Sequence, residues 1–272
     1  MKQKKRKRKE GKKIKRERKE EGFLKTGIDG LDILLGEGVP LGSSVLIEGG
    51  PGSGKTITCL NIAKNVCERG RKVLYMSFEE PEERLLNHMR NFKWKVEEYI
   101  RNNLLKIKRF NALDIARSVE ALLSEAKKEL LIEVQPVLIP PDFSPDVVII
   151  DSLTSIGSAF SGEESRFRIY MEQLFRYLES HNITSFLIRE TAHPTHVGKA
   201  FVEAGEAVSF LSDGIIVLYN VFYKKGFRKR AIEVLKLRGV DIKRKIVEIE
   251  IKRNKGVMVY PNRILSGNYV LT

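Results

Sequence analysis

The 272-residue chain has two cysteines, one tryptophan, three glutamines and no run of about 18 apolar residues. The last absence leaves no segment fit to cross a membrane as a helix. Cys59 and Cys67 stand eight positions apart on one expected helix, too far to bridge, and no Cys-x-x-Cys occurs, so neither a disulfide framework nor a paired-thiolate site is expected. The basic N-terminus is not followed by the apolar stretch of a secretory signal, and a reducing, cytoplasmic setting is the expectation. Scarce glutamine beside abundant lysine and glutamate hints at a heat-adapted source.

Acidic residues are also short, 35 against 49 Lys plus Arg, for a net charge of +14. The surplus is uneven. Residues 1–20 hold 13 basic side chains against Glu10, Glu17 and Glu20, a net +10, which leaves +4 for everything after them. A nucleic-acid argument from charge is therefore confined to a tail, expected to be disordered or helical. That tail reads equally as a solubilising arm or as a non-specific phosphate contact, and lysines of this kind neutralise phosphates without addressing base edges. Residues 21–272 are 42%-hydrophobic-type globular sequence by the chain average and are expected to form one domain.

Within that body strands and helices alternate, which predicts an α/β fold with a largely parallel sheet. Expected strands are Ser44–Glu48, Lys72–Phe78, Lys106–Phe110, Val147–Ile150 and Thr184–Ile188; expected helices are Lys55–Arg69, Glu82–Asn91, Leu113–Leu130 and Glu164–Ser180. After Gly214 the helices stop. Gly214–Tyr219, Lys229–Leu237, Lys245–Lys252 and Val257–Tyr260 read as an antiparallel extension. No internal repeat is visible.

The sharpest motif is Gly49-Gly50-Pro51-Gly52-Ser53-Gly54-Lys55-Thr56, a G-x-x-x-x-G-K-T between a strand and a helix. Its glycines let backbone N–H groups turn inward around phosphate oxygens, the helix start adds partial positive charge, Lys55 reaches the β- and γ-phosphates, and Thr56 binds Mg²⁺. A magnesium site also needs a carboxylate at the end of a buried strand, which Asp151 supplies after Val147–Ile150. Hydrolysis further needs a base to activate water. Glu79 and Glu80 end the second strand, and alternation along a strand turns only one of them toward the γ-phosphate.

Three further segments accompany the phosphate loop in order: Thr26-Gly27-Ile28-Asp29-Gly30-Leu31-Asp32-Ile33-Leu34-Leu35 before it, Ser77-Phe78-Glu79-Glu80 after the second strand, and Leu235-Lys236-Leu237-Arg238-Gly239 near the end. With them the chain resembles the KaiC-type branch of the RecA-like ATPases over about residues 21–262. The resemblance implies a RecA-like P-loop NTPase core, its mainly parallel sheet flanked by helices and continued by the antiparallel β extension. It also implies ATP with Mg²⁺ and self-association into a ring, usually hexameric, with nucleotide between subunits. Glu79 takes the place of the catalytic glutamate and Glu80 that of its companion. Glu190 matches a glutamate that could sense the γ-phosphate. Lys236 and Arg238 match the basic pair that reaches a neighbour's γ-phosphate; alternation puts both on one face of a strand end, where paired cations suit the charge of a transferring phosphoryl group.

Other candidates carry less. His193 and His196 lack a third ligand and read as an ordinary polar loop, so no metal beyond Mg²⁺ is expected. Trp94 with Phe92 and Tyr99 reads as local packing, and Lys224–Arg230 as a solvated hairpin tip. In Val208–Asp213, Ser209 remains but Phe210 stands where the clock-type relatives carry a phosphorylated threonine, so autokinase activity is not expected. The function expected is that of a homo-oligomeric, ATP-hydrolysing conformational switch acting on an unnamed client protein. The alternatives are a RadA-like DNA-binding recombination ATPase and a module that binds ATP with negligible turnover.

Overall fold

The structure is a computed structural model and describes residues 22–117, 139–160, 164–191, 206–224 and 226–272. The basic tail, most of the helix expected over 113–130, and His193 and His196 lie outside the described residues; within them, 112–117 are helical.

One sheet organises the molecule. In the order of the sheet, its strands are β11 (Gly256–Ile264), β10 (Val247–Lys252), β9 (Arg228–Leu237), β8 (Gly214–Tyr223), β3 (Ser44–Gly49), β7 (Thr184–Glu190), β6 (Val147–Asp151), β4 (Val73–Ser77) and β5 (Leu105–Arg109). From β8 to β5 every neighbouring pair is parallel. From β8 outward through β9 and β10 to β11 every pair is antiparallel. The expected parallel core with an antiparallel extension is thus what the chain forms, with one adjustment: β8 belongs to both halves, parallel to β3 along one edge and antiparallel to β9 along the other. A short last strand, β12 (Tyr269–Leu271), pairs with Val221–Tyr223 of β8 beyond the point where β3 has ended.

Alternation sorts the core. Val45 and Ile47 of β3, Val73 and Tyr75 of β4, and Val147 and Ile149 of β6 pack on one face with Cys59, Leu60 and Ala63 of the helix α2 (Lys55–Glu68). Leu46, Leu74, Met76, Val148 and Ile150 point the other way, onto Met171, Leu174 and Leu178 of the helix Glu164–Ser180. Strands buried on both faces need helices on both faces, and the uninterrupted apolar runs of β3, β4 and β6 reflect that demand.

Several elements are shorter than a sequence period can reveal. Val96–Arg101, Leu153–Ala159 and Glu206–Leu211 are helices of six or seven residues, and β2 (Val39–Pro40) pairs with β1 (Phe23–Leu24) as a two-residue ribbon. The Thr26–Leu35 segment proves to be architectural. Asp32 accepts hydrogen bonds from Thr26 N (2.8 Å), Thr26 Oγ1 (2.7 Å) and Gly27 N (3.0 Å), closing the turn that starts the helix Asp29–Leu35. A Cβ on Gly30 would lie 2.1 Å from the Val259 carbonyl oxygen, so glycine lets this helix press against β11. Trp94 is 7% exposed and stacks on Phe92 at 4.8 Å, which is packing, as expected. Among the described residues, no helix is long and apolar enough to cross a membrane.

Candidate functional site

The phosphate loop joins β3 to α2 at the C-terminal edge of the parallel strands, beside the ends of β7 and β8. Its shape depends on glycine at both ends. Gly49 has φ +154°, and a Cβ there would stand 2.3 Å from the Leu218 carbonyl oxygen and 2.7 Å from Ser53 Oγ. Gly54, at φ +105°, precedes the first residue of α2, and a Cβ would meet Ile251 at 2.8 Å. The loop is braced from the extension: Asn220 Nδ2 donates to the Pro51 carbonyl at 3.0 Å, and Arg230 Nε to that of Gly52 at 2.9 Å.

Lys55 is 6% exposed. Its ammonium donates to the carbonyls of Gly49 (2.9 Å) and Gly50 (3.1 Å) and lies 3.5 Å from Glu190 Oε1. A buried ammonium held by carbonyls and one half-exposed carboxylate can exchange these partners for phosphate oxygens. Two hydroxyls at the loop, Ser53 Oγ and Thr191 Oγ1, are buried without a hydrogen-bond partner among the described residues. Buried polar atoms are rarely left so. An oxygen-rich anion in the cradle would meet that need, so the residues present fit a nucleotide's phosphates.

The metal-binding pair is also assembled. Thr56 Oγ1 donates to Asp151 Oδ2 at 3.2 Å, bringing together two oxygen ligands from residues 95 apart in sequence. Hard oxygen donors of this type suit Mg²⁺, which takes one or two carboxylates and completes its shell with water and phosphate. Burial pushes the Asp151 carboxyl up to about 6; hydrogen bonds from Tyr75 and Thr56 work against that rise, and the nearby charges of Glu79 and Glu80 add to it. A cation bound there would reverse the balance and hold the carboxylate ionised.

Glu79 and Glu80 diverge, but not by strand alternation: β4 ends at Ser77, and both lie in the bend that follows it. Glu79 Oε1 accepts hydrogen bonds from Ser152 Oγ and, at 3.0 Å, from Ser155 Oγ, which keeps it beside the end of β6. Glu80 turns away to His88 Nε2 at 3.0 Å and Arg84 at 3.7 Å on the helix Glu82–Asn91. Of the two, only Glu79 shares the edge with Asp151.

Lys236 and Arg238 are elsewhere. Lys236 pairs in register with Ile215 at the start of β8, and the start of β8 is beside Val45 at the start of β3. The pair therefore flanks the N-terminal edge of the parallel strands, one full strand length from Lys55. Lys236 Nζ donates to the carbonyls of Ser209 (3.1 Å) and Ser212 (2.6 Å), and Arg238 donates to that of Phe210 (2.8 Å) and faces Asp213 Oδ1 at 3.4 Å. Both cations thus cap the C-terminal end of the short helix Glu206–Leu211, where the backbone presents negative charge. Partial burial, and then the neighbouring guanidinium, lower the Lys236 pKa.

Four contributors were invisible to sequence reasoning. Tyr75 donates to Asp151 Oδ2 at 2.6 Å; Ser152 and Ser155 hold Glu79; Arg189 joins Glu48 (2.5 Å) to Ser209 Oγ (2.8 Å) across the sheet. Only Tyr75 left a signal, a polar-tipped side chain inside an apolar strand. A cavity of about 790 Å³ opens beside Pro51 and Gly52, walled by Asn220, Phe222, Arg228, Arg230 and Arg263 of the extension.

Comparison with known proteins agrees with this geometry. The sequence profile of the family described as ATPase: KaiC matches residues 24–264. The UPF0273 protein PH0284 of Pyrococcus horikoshii is 28% identical over 254 residues, covering 91% of this chain and 98% of that protein. The circadian clock protein KaiC3 of Synechocystis is 28% identical over 240 residues, 88% of this chain but 45% of the clock protein. Among solved structures, the KaiC-like protein PH0186 of P. horikoshii superposes with a TM-score of 0.67 at 26% identity, over 88% of this chain and 99% of the other. A phosphate loop, a buried strand-end aspartate and a strand-end glutamate on one edge of a RecA-like sheet, matched from residue 24 to 264, show that this chain belongs to the KaiC family of ATPases.

Proposed function

We propose that the protein is an Mg²⁺-dependent ATPase that self-associates into a ring, each active site combining the phosphate loop of one copy with Lys236 and Arg238 of the next, and that turnover switches how the assembly binds a client. The observation that carries this reading is the convergence of Lys55, Thr56, Asp151 and Glu79 on one edge of the sheet, with two unpartnered buried hydroxyls beside them. Lys55 exchanges its carbonyl partners for phosphate oxygens. Thr56 and Asp151 would hold the metal, which would supply positive charge to neutralise the phosphates. Glu79 orients and deprotonates the attacking water, with Ser152 and Ser155 fixing its carboxylate. Glu190, 3.5 Å from Lys55, is placed to register whether a γ-phosphate is present. The cavity beside Pro51 has the size and the arginine-lined walls for a nucleoside.

Ring assembly is supported by position. Lys236 and Arg238 stand at the far edge of the sheet from their own phosphate loop, so a phosphoryl group they touch belongs to another copy. The test is phosphate release by wild type and Glu79→Gln, with Mg²⁺ and with EDTA. The expected result is Mg²⁺-dependent release that Glu79→Gln lowers about 10²–10⁴-fold while nucleotide binding is kept. Equal release by both chains would overturn the catalytic assignment, and binding without release in wild type would leave a nucleotide-holding module instead.

A further inference from the structure

Asp151 is buried at 4% exposure, and the group closest to its carboxylate is not a loop residue but Tyr75, fully buried in β4. The sheet explains the contact. Strands β4 and β6 are adjacent and parallel, with Tyr75 opposite Ile149 and Ser77 opposite Asp151, so Tyr75 and Asp151 are diagonal neighbours on the α2 face. Diagonal pairs lie roughly 7–8 Å apart at the backbone, a gap that a tyrosine spans and most side chains do not. The phenol oxygen thereby reaches Oδ2 at 2.6 Å, the same oxygen that Thr56 approaches at 3.2 Å.

We propose that Tyr75 is a positioning residue for the metal site, its hydroxyl fixing the Asp151 carboxylate in the orientation that Mg²⁺ requires. This rests on the reading of Thr56 and Asp151 as metal ligands. Thr56 cannot do the same work. Its hydroxyl is itself a ligand, and in binding the cation it turns its lone pairs to the metal, whereas the Tyr75 hydroxyl has no other hydrogen-bond partner among the described residues and stays on Asp151. Tyr75 is fully buried and Asp151 is 4% exposed. A carboxylate ligand held by a buried outer donor loses rotational freedom before the cation arrives, and outer partners of this kind are worth about 10–100-fold in metal affinity.

The competing account is that Tyr75 is a core aromatic whose hydroxyl merely finds an acceptor. Tyr75→Phe separates the two, because it preserves the ring and removes one oxygen. Mg²⁺ is titrated into the full-length chain at a fixed concentration of fluorescent ADP, and Mn²⁺ binding is followed in parallel by its electron spin resonance. The expected result is a half-saturating metal concentration about 10–100-fold higher in Tyr75→Phe. Nucleotide affinity in EDTA is expected to be unchanged. Should Tyr75→Phe melt lower than wild type without metal, the further rise in Tm that Mg²⁺ gives each chain makes the same comparison. Equal metal dependence in the two chains would overturn the role of Tyr75 alone. A wild type whose nucleotide binding and Mn²⁺ signal ignore the metal would overturn the assignment of Asp151 and Thr56, and Tyr75 with it.

Discussion

At the C-terminal edge of the parallel strands, Gly49, Glu79 and Asp151 gather with Lys55 and Thr56, and most of their polar atoms already have partners from that same edge. At the opposite edge, Lys236 and Arg238 stand by Asp213 and the start of β3, their donors spent on the carbonyls of a six-residue helix. The separation is at least the length of β3, five steps of about 3.3 Å or ~16 Å. One edge gathers the phosphate loop with Asp151 and Glu79, and the other holds two cations that lie far from it. On the proposed reading, nucleotide binding is a property of one copy and rapid turnover a property of two.

The comparison breaks most visibly at Arg238. Arg238→Ala is expected to lower ATP turnover about 10³–10⁵-fold, the range for a cation supplied in trans, with nucleotide affinity of the separated copies unchanged. An assembled Arg238→Ala protein that hydrolyses ATP at the wild-type rate would refute the arrangement. Mixing sharpens the point. Arg238→Ala and Glu79→Gln chains are each expected to be inactive, yet an equal mixture should recover about a quarter of wild-type turnover, since that share of head-to-tail contacts pairs an intact Glu79 with an intact Arg238. Wild-type turnover should also rise steeply with protein concentration.

The next largest effect concerns what joins the two edges. Glu48, 1% exposed, faces Arg189 directly across β3 and β7, and Arg189 also donates to Ser209. Arg189→Met removes the guanidinium that faces the buried Glu48 carboxylate. A loss of about 3–5 kcal/mol in urea unfolding is expected. A loss below about 1 kcal/mol would show that other partners of Glu48 suffice to hold it in the folded chain.

The smallest expected effect is chemical inertness. Burial pushes the Cys67 thiol up to about 12 and the Cys59 thiol well above its usual value, so at pH 8 neither is a thiolate. Maleimide should label the native chain far more slowly than the chain in urea. Fast native labelling would mean that α2, which begins at Lys55, opens readily.

Some of this was legible in the sequence and some could not be. The phosphate loop, Asp151 and Glu79 are marked by local context, a strand end followed by a turn, and the sequence order of strands and helices was enough for a parallel core. Boundaries moved where a partner lay elsewhere in the chain: the strand expected over Gly214–Tyr219 runs on to Tyr223, where Phe222 pairs with Arg228 of β9 on one side and with Val270 of β12 on the other. Tyr75 and Asp151 are 76 residues apart, and nothing in either segment says that β4 and β6 will be neighbours in a given register. Ser152 and Ser155 likewise acquire their partner only when the strands are ordered. Contacts across a sheet are a property of topology, and topology is decided by the whole chain.

The opposed edges also set an accounting rule for assembly. If every working site takes its loop from one copy and its cations from the next, a row of n copies completes n − 1 sites and leaves one loop and one cation pair idle at its tips. Only closure into a circle uses every group, whatever the number of members. On that reading, the direction in which β9 returns along β8, which sends Lys236 away from Lys55, is what would give each copy a front and a back.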